Sequence, residues 1–229
     1  RGTGPHRARA AIINFGTEMI TIEQAFPNRI AGVIRTDGGD AAYRACRAAI
    51  DGGVGTVEVT TGVPGWAGVV KRLVTESAGT PIGVGTVVQP QMVAEAVAAG
   101  ASFVVTPFLQ PEVAAAAHEQ GIFLVMGALT PTEIHQALHV HGAQVVKIYP
   151  VASVGGAPYL RLIAGPMPGM PLWVSGGVEL DQVAEYLRLG VKAVGLTTSL
   201  FPPDAVRTGD TARITALARE AVSALAGVS

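Results

Sequence analysis

Short runs of apolar, largely β-branched residues recur along the chain, each followed by a longer stretch whose apolar positions return with helical spacing. Strands are expected at 29–35, 57–60, 82–86, 103–106, 123–126, 144–149, 172–174 and 193–196. Helices are expected at 40–50, 66–75, 90–99, 111–120, 131–140, 158–163, 180–189 and 210–225, with a short helix over 19–26 ahead of the first strand. Asp40 reads as the N-cap of the 40–50 helix and Gly52-Gly53 as its stop. Glycine closes further helices at Ala98-Ala99-Gly100, His141-Gly142 and Leu189-Gly190. The strand runs do not alternate apolar with polar, as expected of strands covered on both faces. Eight strand–helix units imply an α/β fold, a (β/α)8 TIM barrel forming a single domain over 19–229. The rival, a doubly wound dinucleotide-binding sheet, would carry Gly-x-Gly-x-x-Gly after its first strand; here that position reads Arg35-Thr36-Asp37-Gly38-Gly39.

Composition narrows the picture. Hydrophobic residues make up 49% of the 229 and charged residues 14%, enough for a sizeable core, and the few aromatics (5%) suit close helix-on-sheet packing. A net charge of −1 with no block of one sign leaves no nucleic-acid footprint. No apolar run is long enough to span a bilayer, so no membrane partner is expected. The single cysteine, Cys46, sits in a helical run and reads as a small buried hydrophobe in a reducing, cytoplasmic setting. Residues 1–18 lack the layout of a signal peptide and read as a leader, an expression remnant or an N-terminal arm docking elsewhere.

Within this pattern the sixth strand, Val145-Val146-Lys147-Ile148-Tyr149-Pro150, carries a lysine where a core residue belongs. The other two lysines, Lys71 and Lys192, fall in a helical pattern and a turn, where water is within reach. An unpaired ammonium in an apolar strand is costly, whereas a neutral amine there is a nucleophile toward ketones, which makes Lys147 a Schiff-base candidate. A snorkelling or carboxylate-paired lysine is the plainer alternative. Glu58, flanked by Val57 and Val59, is the second charge in a core run. It reads either as a neutralising partner of Arg35 or Lys147 or as an acid–base group. In a barrel these strand ends converge on one mouth, which would gather Arg35, Glu58, Thr86, Thr106, Pro107 and Lys147. Ser175-Gly176-Gly177 after the seventh strand and Thr197-Thr198 after the eighth offer backbone donors and hydroxyls for an anion, where barrels often hold phosphate. Among the histidines, His118, His135, His139 and His141 fall in helical stretches and His6 in the leader, so a metal-dependent reaction is not expected.

Val57-Glu58-Val59-Thr60, Gly83-Val84-Gly85-Thr86-Val87, Val105-Thr106-Pro107, Thr130-Pro131-Thr132-Glu133, Val146-Lys147-Ile148-Tyr149-Pro150 and Ser175-Gly176-Gly177-Val178, in this order and spacing, resemble the 2-keto-3-deoxy-6-phosphogluconate aldolases and the related 6-phosphogalactonate and 4-hydroxy-2-oxoglutarate aldolases. The resemblance runs from about Arg29 to Phe201. It implies a class I aldolase on a (β/α)8 barrel, without metal or cofactor, usually a homotrimer, acting on a small keto acid. Lys147 would be the Schiff-base lysine, Glu58 the general acid/base, Thr86 a holder of the pyruvate carboxylate and Arg35 the arginine near the mouth. Three departures from the family stand out. Gly62 stands where the phosphogluconate branch has an arginine, though the phosphogalactonate branch lacks it too. Thr197-Thr198 replaces a glycine-serine after strand eight, and Met126 a proline before the strand-five glycine. A non-covalent phosphate-binding barrel enzyme and a non-catalytic sugar-acid-phosphate sensor or scaffold stay open.

Overall fold

The computed structural model describes residues 19–228. The leader or arm expected over 1–18 lies outside the described residues. Eight parallel strands close into a barrel in sequential order: β1 (Ile30–Ile34), β2 (Thr56–Thr60), β3 (Ile82–Gly85), β4 (Phe103–Val105), β5 (Phe123–Ala128), β6 (Val145–Ile148), β7 (Leu172–Ser175) and β8 (Ala193–Leu196). β8 pairs with β1 through Ile30–Val194, Ala31–Gly195 and Gly32–Leu196. Every strand residue is buried, which is why the apolar runs show no alternation in the sequence.

The alternation exists in space. On β2, Val57 and Val59 join the outer core beneath the helices, which turns Thr56, Glu58 and Thr60 inward. The barrel interior holds a separate apolar cluster that includes Ala31, Val33, Phe103, Val105, Phe123, Val145 and Trp173. Its floor is supplied from outside the barrel. A one-turn helix, α1 (Ile22–Ala25), is closed by a Thr21/Gln24 capping box and delivers Phe26 against the rings of Phe103 (5.4 Å), Phe123 (6.3 Å) and Trp173 (5.2 Å). Thr56 Oγ1 donates to the Ala25 carbonyl at 2.6 Å, tying this plug to the start of β2. The helix expected over 19–26 is thus shorter than its apolar pattern and serves as a stopper.

Other differences have local causes. The helix expected at 40–50 is α2 (Gly39–Asp51), capped at Gly38; Asp40 lies inside its first turn and makes no capping bond. The helix expected at 131–140 begins as Pro131–His135 and widens into a π-helix over Gln136–Val140. The stretch before 210–225 contains an unforeseen helix, Pro203–Thr208, started by proline and ended by left-handed Gly209. The final helix then runs over Thr211–Ser223 with Asp210 as its N-cap. No helix among the described residues is long and apolar enough to cross a membrane.

Candidate active site

β2 and β6 face each other across the barrel and bring Glu58 and Lys147 together from 89 positions apart. Lys147 Nζ donates to Glu58 Oε2 at 2.8 Å and to Oε1 at 3.2 Å. Their side chains are 9% and 1% exposed, so water screens this pair little. The carboxylate fits because its neighbour on β3 is Gly85: a Cβ there would lie 1.7 Å from Glu58 Oε1. Lys147 Nζ also sits 4.7 Å from the centre of the Trp173 ring and 6.0 Å from that of Tyr149. Of the two partners the sequence left open for Glu58, the fold selects Lys147.

The pair lies at the base of a cavity of about 760 Å3 at the C-terminal end of the strands. The lining contains every residue expected to converge there: Arg35, Glu58, Thr86, Thr106, Pro107, Lys147, Ser175, Gly176, Gly177, Thr197 and Thr198. On one side Arg35 Nη2 stands 3.4 Å from Thr86 Oγ1. Thr86 holds a left-handed φ of 60°, a costly conformation for a β-branched residue. Thr61 Oγ1 donates to the Thr86 carbonyl at 2.8 Å and helps hold it. Thr106 uses its hydroxyl within the protein, donating to the Phe108 carbonyl (2.7 Å) and accepting from Gly127 N–H (3.0 Å). It therefore braces the wall.

On the opposite side Gly176 (φ 90°) and Gly177 (φ 76°) make the turn after β7. A side chain at Gly177 would collide with Ala152 Cβ at 2.6 Å, so this turn needs glycine for conformation and for space. Ser175 Oγ is buried and has no hydrogen-bond partner among the described residues. The sequence reading missed other lining residues, among them the polar Thr36, Asp37, Ser153 and Arg207. Arg207 rides on the Pro203–Thr208 helix, is exposed, and makes no hydrogen bond or ion pair among the described residues. The flanking Pro202-Pro203 and Gly209 were the signals that could have revealed it. At Gly62 an added Cβ would meet nothing, and this residue borders an open groove beside Arg35 and Thr86. Of the histidines, His135 and His139 lie with ring centres 4.7 Å apart on the outer surface, away from this mouth. Among the described residues no group of three or more His, Cys, Asp or Glu could hold a metal ion.

A closed parallel barrel with a buried amine–carboxylate pair at its mouth has the layout of an enzyme site that an amine nucleophile can use. Comparison with known proteins carries this further. The family model described as "Aldolase: KDPG and KHG aldolase" matches residues 22–217, and the chain belongs to that family of aldolases. A 2-dehydro-3-deoxy-phosphogluconate aldolase of Pseudoalteromonas atlantica is 34% identical, covering 80% of this chain and 84% of that protein. A 2-dehydro-3-deoxy-6-phosphogalactonate aldolase of Escherichia coli is 29% identical over 67% of this chain and 75% of its own. The crystal structure of the KDPG aldolase from Legionella pneumophila, with pyruvate captured as a covalent carbinolamine, superposes with a TM-score of 0.78 at 28% identity, over 86% of this chain and 95% of that one.

Proposed function

We propose that this aldolase is a class I enzyme that cleaves a 6-phosphorylated 2-keto-3-deoxy sugar acid to pyruvate and an aldehyde such as glyceraldehyde 3-phosphate. The observation that carries the reading is the 2.8 Å contact between Lys147 and Glu58 at the base of the cavity. A proton passed along that bond converts an ion pair into a neutral amine and a neutral acid without changing the net charge of the barrel interior. The amine of Lys147 then adds to the C2 ketone, and its proton moves to the C2 oxygen through Glu58. The Glu58 proton leaves with that hydroxyl as water, giving an iminium beside a carboxylate. Glu58 next takes the proton of the C4 hydroxyl; the C3–C4 bond breaks, and its electron pair enters the iminium to form an enamine. The aldehyde departs, Glu58 returns the proton to C3, and water releases pyruvate from Lys147.

Substrate placement follows the charges of the cavity. Arg35 and Thr86 suit the keto-acid carboxylate. Ser175, Gly176, Gly177, Thr197 and Thr198 suit the phosphate, and Arg207 adds a full positive charge at that end. The intact pair favours catalysis over the sensor or scaffold reading. The reading further includes a homotrimer acting in the cytoplasm, which the family likeness and the single reduced cysteine, Cys46, support.

The test is aldol cleavage of phosphorylated and unphosphorylated keto acids of gluconate and galactonate configuration, followed by pyruvate release. Phosphorylated substrates should be preferred through KM, and Arg207→Met should erase about tenfold of that preference. Equal turnover of phosphorylated and unphosphorylated acids would remove phosphate from the reading. Failure to release pyruvate from any of them would remove the reaction.

A further inference from the structure

We propose that Trp173 is a catalytic group of this aldolase, its indole face stabilising the positive nitrogen of the Lys147 iminium; the proposal rests on the Schiff-base reading above. Trp173 on β7 is the Cα partner of Lys147 on β6, and both side chains enter the barrel. The 4.7 Å from Nζ to the ring centre is well inside the range, about 6 Å, at which a cation is drawn to an aromatic face. Trp173 is fully buried, so its face is not shared with bulk water.

The indole is fixed before any substrate arrives. Phe26 meets its ring edge-on at 5.2 Å and 62°, and Phe103 does so at 6.2 Å and 74°. Gly195 on β8 gives it room, since a Cβ there would stand 2.4 Å from Nε1. A partner that needs no reorganisation as charge develops is the kind that lowers a barrier.

The reaction explains why a face is useful here. The amine, the carbinolamine and the enamine are neutral at nitrogen, whereas the iminium is cationic. Loss of the carbinolamine hydroxyl, as water carrying the Glu58 proton, puts the positive charge on nitrogen and the negative charge on Glu58. When Glu58 then accepts the C4 hydroxyl proton, its own charge disappears while the C3–C4 bond is breaking. The indole at 4.7 Å, nearer than the Tyr149 ring at 6.0 Å, then faces whatever charge the nitrogen retains. The Trp173 N–H has no hydrogen-bond partner among the described residues, and it is the ring face that lies toward Lys147 Nζ.

This predicts rescue by an aromatic ring. Trp173→Phe should keep kcat within about threefold of wild type, while Trp173→Met, which fills volume without a face, should lower kcat about tenfold. The fraction of Lys147 trapped by borohydride at saturating pyruvate should fall in parallel with kcat. A packing role alone would impair both variants in proportion to their loss of thermal stability, and that result would overturn the proposal. Should Trp173→Met fail to fold, a Trp66→Phe background leaves Trp173 as the sole indole, since the chain has two tryptophans. Its fluorescence should change on adding pyruvate and stay unchanged when Lys147→Ala is introduced; an unresponsive Trp173 would overturn the proposal. Wild type that forms no adduct overturns the Schiff-base reading and this one together. Wild type that traps normally beside a Trp173→Met enzyme of equal turnover overturns only the role of Trp173.

Discussion

The two ends of the barrel interior are built from the same eight strands in opposite ways. At the N-terminal end Phe26, Phe103, Phe123 and Trp173 fill the bore with rings. At the C-terminal end Gly85 keeps the side-chain layer small and leaves space for a lysine, a carboxylate and a cavity. The lower end follows the usual logic of a core, in which buried apolar area and edge-to-face contacts stabilise. The upper end breaks that logic by burying two charges, an arrangement that contributes little or nothing to stability compared with apolar residues of similar volume. Stability and chemistry are thus divided along the barrel axis, and Trp173 touches both ends.

That division can be probed from the upper end first. Glu58→Gln should lower kcat by about 10² to 10⁴-fold, the range of general acid–base contributions, which steady-state pyruvate release will measure. Replacing both members of the pair, as in Lys147→Met with Glu58→Leu, should leave thermal stability equal or higher while activity vanishes. At the lower end Phe26→Ala should cost about 3–5 kcal/mol of unfolding free energy in urea titration, with kcat per folded molecule nearly unchanged. A large loss of kcat there would show that the plug also shapes the mouth.

Gly85→Ala acts at the upper end without replacing a charged group. Its Cβ would have to displace Glu58 Oε1, so kcat should fall about tenfold to a hundredfold while the melting temperature moves by only a few degrees. The smallest effect belongs to the outer core. Burial pushes the Cys46 thiol up to about 12. The folded protein therefore keeps this proton at pH values where the unfolded chain, with an ordinary thiol near 8.5, loses it. The Cys46 contribution to stability is fully present below about pH 8.5 and declines as pH rises toward 12. Cys46→Ala should flatten that part of the stability–pH curve, and native Cys46 should resist alkylation at pH 8.

The sequence exposes part of this arrangement. Lys147 and Glu58 stand out because each is a charge inside a β-branched run. The choice between Lys147 and Arg35 as the partner of Glu58 is not readable from spacing, because closure of β8 onto β1 decides which strands face each other. Thr86 was readable as a mouth residue, but not as a strained one; its left-handed φ opposes its own preference and is held by tertiary contacts. Arg207 escaped because a helix of six residues carries too few positions to show a periodicity. Trp173 and Phe26 lie in the interior apolar cluster of the barrel. The contact of Trp173 with the Lys147 amine depends on which strand lies next to β7, and no local pattern encodes that.

The central claim is that Lys147 forms a covalent bond with a keto acid. Borohydride reduction in the presence of pyruvate, followed by intact-mass and peptide analysis, tests it directly. The account predicts one reduced pyruvate adduct per chain, on the peptide containing Lys147, and none in Lys147→Ala. Equal labelling of both proteins, or none of the wild type, would contradict it.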